Sequence, residues 1–176
     1  PMLQLYQMTS DDFFARHSPK ELFGKPVDLA FLDGMHLFEF LLRDFINTET
    51  QMHENSVTLL HDCLPINAEM TERQRNGLAR KDVEYRGYWT GDVWKMIPVL
   101  KKYRPDLSVS CLDCTPTGLA VIRNLDPKST VLKDNYQKII DEFIPVVMTD
   151  PDLEAYVDTH RSTRSAVFLD LLGEAA

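Results

Sequence analysis

Residues 27–45, VDLAFLDGMHLFEFLLRDF, constrain the fold more than any other stretch of this chain. An apolar run, an abrupt acidic turn and an amphipathic segment follow one another there. Val27-Asp28-Leu29-Ala30-Phe31-Leu32 predicts a strand covered on both faces, as in a parallel sheet. Asp33-Gly34 ends it, and Gly34 is expected to supply the backbone freedom of the turn. Leu37, Phe38, Phe40, Leu41, Leu42, Phe45 and Ile46 then give a helix a broad apolar face. A second strand is predicted over 56–60 and ends in His61-Asp62. Strand, helix and strand at this spacing make a βαβ unit with parallel strands. Asp33, His36, His61 and Asp62 therefore fall at neighbouring carboxyl ends, the edge where open α/β sheets bind ligands.

The remaining elements are read in the same way. A short strand is expected at 3–6. Ser10 or Asp11 caps a short helix, and a second, opened by Ser18-Pro19, closes at Gly24. The polar segment 63–88 reads as a solvated excursion or as a lid whose arginines meet an anionic substrate. A helix follows up to Tyr103, with a kink or break expected at Pro98. A third parallel-type strand over 107–112 turns back through 113–118 into an antiparallel strand over 119–122. Helices are expected over 130–143, from Asp150-Pro151 and from Arg161. The fold class is thus α/β, with an α/β domain over 1–128 and a helical extension over 129–176.

Of the 176 residues, 44% are hydrophobic, enough for a packed core, and the net charge is -8. That charge argues against nucleic acid and anionic membrane as partners. No apolar run is long enough to span a bilayer. The first ten residues lack the pattern of a signal peptide, and three cysteines do not make a disulfide framework, so the expected location is cytoplasmic.

Two carboxylates and two imidazoles at one sheet edge suit a divalent metal, with a histidine left over as a base. Against this, the same residues would serve merely as caps and backbone partners. Cys111-Leu-Asp-Cys114 closes a strand rather than opening a helix, which favours two structural thiols over a redox pair. His61-Asp62 taken with His36 or His53 also suggests an HD-type phosphohydrolase, but those proteins are all helical. Trp94 reads as a packing anchor. Trp89 would line a pocket if 63–88 folds over the site.

Taken in order, VDLAFLDGMHLFEFLLRDF, SVTLLHDCLP, WTGDVWK and RPDLSVSCLDCTPTGLAVI resemble the C-terminal half of class I S-adenosylmethionine-dependent methyltransferases. They are most similar to the group with a D-G-x-H turn and a later H-D, which includes sugar O-methyltransferases. The resemblance implies a Rossmann-like, three-layer α/β/α sheet, mostly parallel, ending in an antiparallel hairpin. Residues 27–32, 56–60, 107–112 and 119–122 would be its fourth to seventh strands. It implies S-adenosylmethionine as cofactor, with Ser10, Asp11 and Asp33 on the cofactor side. It also implies a divalent ion such as Mg²⁺ on Asp33, His61 and Asp62, His36 as catalytic base, and a sugar-like acceptor met by Arg86 and Trp89. His61 stands where those enzymes carry another acid. Their Gly-rich loop and ribose-binding acid would lie before Pro1, so the fourth strand is expected to have an open edge that favours a homo-oligomer. A non-catalytic assembly module and a metal-dependent hydrolase are the competing readings.

Overall fold

The computed structural model describes residues 3–75 and 80–160. It is an α/β fold on one mixed four-stranded sheet, ordered β1-β2-β4-β3. β1 (Val27–Leu32) and β2 (Met52–His61) are parallel, joined by α3 (Phe38–Glu49). β3 (Ser108–Leu112) and β4 (Leu119–Arg123) form the expected hairpin. β4 lies between β2 and β3 and is antiparallel to both, so β3 runs the same way as β2 without pairing to it. β2 begins earlier than the apolar pattern implied. Its pairing with β1 slips between Val27 and Leu29, where the Ser56 hydroxyl donates to the Val27 carbonyl.

The core lies between the sheet and the helices beside it. Phe38, Leu41, Leu42 and Phe45 of α3, with Ile97 and Leu100 of α4 (Met96–Tyr103), pack in one cluster with Leu60, Ala120 and Ile122. Each such side chain, fully buried, contributes about 1.5–3 kcal/mol. The alternate face of β1 is open. Leu29 and Phe31 are 59% and 54% exposed, so the strand expected to be covered on both faces is covered on one. The second helical layer of a three-layer sheet is not seen over β1 among the described residues.

Local chemistry explains several other departures. Residues 3–6 form no strand. Thr9, not Ser10 or Asp11, caps α1 (Ser10–Arg16), its hydroxyl accepting the Asp12 amide at 3.1 Å. Gly24 closes α2 (Pro19–Phe23) in the left-handed region as expected. Pro98 breaks nothing, because a 3₁₀ turn over Val93–Lys95 delays the start of α4 and leaves Pro98 in its first turn, where no amide is needed. The helix expected over 130–143 divides into α5 (Val131–Asp134) and α6 (Tyr136–Phe143) at Asn135, whose side chain donates back to the Val131 carbonyl. The helix expected from Arg161 lies outside the described residues.

α7 (Asp150–His160) is anchored through Tyr156, which packs edge-on against Trp94 and donates to the Cys63 and Trp94 carbonyls. At its end Lys101 Nζ lies 2.8 Å from His160 Nδ1. Burial first, and then the Lys101 charge, push the His160 pKa down to about 4. The unfolded chain therefore binds a proton that the folded chain refuses between about pH 6.5 and 4. Stability is predicted to be unaffected by this group above that window and to fall through it on acidification, by at most about 3 kcal/mol. His160→Gln should flatten this part of a denaturation-versus-pH curve. An unchanged slope would refute the assignment.

Candidate functional site

The parallel register Leu32↔Leu60 sets Asp33, just past β1, beside His61, the last residue of β2, and its neighbour Asp62. His61 Nδ1 lies 3.1 Å from Asp33 Oδ1 and 3.4 Å from Asp62 Oδ1. His36 Nε2 lies 3.3 Å from Asp33 Oδ1 and 3.2 Å from Asp62 Oδ2. One donor atom from each of Asp33, His61 and Asp62 falls within 4.8 Å of the others. Metal–donor bonds of roughly 2.0–2.2 Å place neighbouring donors about 3.0–3.5 Å apart, a spacing that both His61–carboxylate pairs match, so the three residues could hold a small divalent cation. Two carboxylates with an imidazole suit Mn²⁺, Fe²⁺ or Zn²⁺ better than Mg²⁺, which prefers oxygen alone. Asp62 is buried and further fixed by the Thr117 hydroxyl, which donates to its carboxylate.

The backbone is strained at the same place. Met35, His36 and Asp62 take φ values of 53°, 49° and 60°, in the left-handed region that costs an ordinary residue about 1–2 kcal/mol. Gly34 does not adopt that region, so the turn's unusual conformation falls on Met35 and His36 instead.

What holds them there is the distant segment 89–92. The Trp89 carbonyl receives His36 Nδ1 at 2.6 Å. A carbonyl can only accept, so Nδ1 donates to it, and Nε2 lies within hydrogen-bond reach of the two carboxylates. The Trp89 ring stacks on the imidazole at 5.3 Å, and its Nε1 donates to the Glu72 carbonyl. Gly91, at φ 55°, packs directly on the His36 carbonyl. Asp92 Oδ1 accepts the Phe38 amide at 2.8 Å and so caps α3, whose own N-cap residue, Leu37, has no side chain for the task. Its other oxygen binds Arg73 at 2.6 Å and Lys95 at 2.8 Å, and Arg73 also grips Glu39.

The four strand-end groups open into a cleft of about 630 Å³, whose lining also includes Arg75, Tyr88, Trp89 and Thr117. Two expected substrate contacts separate here, since Trp89 lines the cleft and Arg86 does not. Arg86 instead donates to the Arg80 carbonyl. Ser10 and Asp11 do not line the cleft either. Asp11 is bound by Arg43, whose hydrogen bond lowers its pKa. Among the expected cofactor contacts only Asp33 lines the cleft. Burial raises the Cys111 thiol to about 11, which suits a structural role. Thr117, Gly91 and Asp92 are not among the expected site residues, whereas Arg75 belongs to the 63–88 segment whose arginines are expected to meet an anionic substrate.

Comparison of the chain with protein-family models, with curated proteins and with solved structures returned no match.

Proposed function

We propose that this chain forms the metal- and acceptor-binding part of a methyltransferase acting on a hydroxyl group. The observation that carries the reading is the convergence of Asp33, His61 and Asp62 at two parallel strand ends, with His36 Nε2 within 3.3 Å of the same carboxylates. The antiparallel β4 inserted beside β2 supports it, because the resembling family ends its sheet in that way. A divalent cation on the three residues would acidify a hydroxyl bound to it. His36, oriented through Nδ1 by the Trp89 carbonyl, would take the hydroxyl proton on Nε2 once a cation occupies the two carboxylates. Thr117 holds Asp62 in place, and Trp89 shields the imidazole from water on one face.

The test is metal binding. The chain is predicted to bind one Mn²⁺, followed by electron paramagnetic resonance. Asp33→Asn and Asp62→Asn should each weaken binding more than about 100-fold, beyond the loss typical of supporting residues around a metal. Metal content unchanged in both variants would remove the site and the function with it.

A further inference from the structure

We propose that the cleft is built for an acceptor carrying a single carboxylate beside its hydroxyl groups, with Arg75 as the side chain that recognises that charge. The inference rests on the metal-binding reading above. Arg75 lines the same cleft as Asp33 and Asp62. Several other basic side chains nearby are engaged elsewhere. Arg73 pairs with Glu39 and Asp92, Arg80 with Asp82, Lys95 with Asp92, and Arg86 turns onto the Arg80 carbonyl. Arg75 makes no ion pair with a described residue and is exposed.

The charges of the cleft lining then decide the ligand. Asp33 and Asp62 are its carboxylates and Arg75 its guanidinium. A bound divalent cation balances the two carboxylates and leaves one positive charge over. A neutral acceptor leaves that charge unanswered, and a cationic one adds to it. A monoanion closes the balance, and a carboxylate matches the planar fork of a guanidinium through two parallel hydrogen bonds. Tyr88 and Trp89 add aromatic surface to the wall, suited to the apolar face of a hydroxylated ring. A polyhydroxylated ring acid, its hydroxyls toward the metal and its carboxylate toward Arg75, satisfies all three features.

Calorimetry on the Mn²⁺-loaded full chain, with D-glucuronate and neutral D-glucose as probes, tests this. Glucuronate is expected to bind about tenfold more tightly than glucose, the usual worth of a charge-assisted hydrogen-bonded pair. Arg75→Gln should bring the two to parity. Equal affinities in the unaltered chain, a preference that survives Arg75→Gln, or no binding of either probe would each overturn the proposal. The Mn²⁺ titration is read separately. If no Mn²⁺ binds, the metal reading fails, whereas bound Mn²⁺ without a glucuronate preference removes this inference alone.

Discussion

Asp92→Ala is expected to lower the unfolding free energy by about 3–5 kcal/mol, the cost of leaving a buried charge without its partner. Asp92 and Lys95 are 2% and 1% exposed. Besides Asp92, Lys95 Nζ donates to the Ile144 carbonyl. Removing the carboxylate strands that ammonium, uncaps α3 at Phe38 and releases one side of Arg73. A domain of this size has a total stability of about 5–15 kcal/mol, so the loss should be plain in urea denaturation. The pairing of Asp92 with Lys95 can be isolated, because Asp92→Ala combined with Lys95→Met should recover much of the loss. A single-variant loss below about 1 kcal/mol would show that water reaches Lys95 and that the network is not a buried one.

Gly91→Ala is expected to disable the proposed metal site while leaving most of the fold. A Cβ at this position would stand 1.8 Å from the His36 carbonyl oxygen and 2.9 Å from its carbon. Atoms do not approach so closely, so either the 89–92 segment or the turn at Met35-His36 must move by an ångström or more. The residue's φ of 55° adds about 1–2 kcal/mol of strain for any side chain. Displacing His36 disturbs Asp33 and Asp62 together, and Mn²⁺ affinity should fall by about 100-fold, in line with the cost of an ångström's misplacement at a reacting centre. Gly87→Ala is the control, since its Cβ would meet nothing within 4 Å. Equal Mn²⁺ affinities in the two variants would show that the contact with Gly91 does not position His36.

The elements with clear periodicity were legible in the sequence. β1, the helix after it, β2 and the closing hairpin all follow from apolar spacing and turn residues, and with them the meeting of Asp33, His61 and Asp62. What stayed hidden is long-range and largely backbone. Trp89 reaches His36 across 53 positions through a carbonyl that every residue type possesses. Asp92 caps a helix that begins 54 positions before it. Arg86 and Arg75 look alike along the chain, and only the folded loop turns one onto a carbonyl and leaves the other in the cleft. The cover over β1 was misjudged because a run such as VDLAFL fits a strand buried on both faces and one left half open equally well.

Trp89 faces the cleft with its ring and steadies the imidazole with its carbonyl. These two duties respond differently to genetic change. Any residue at position 89 offers the same carbonyl, so point replacements at 88 and 89 can reshape the wall without removing the acceptor for His36 Nδ1. An insertion or deletion within 89–92 would shift the carbonyl, Gly91 and the cap on α3 at once. Diversification of the cleft wall on this scaffold is thereby channelled into side-chain exchange at fixed loop length.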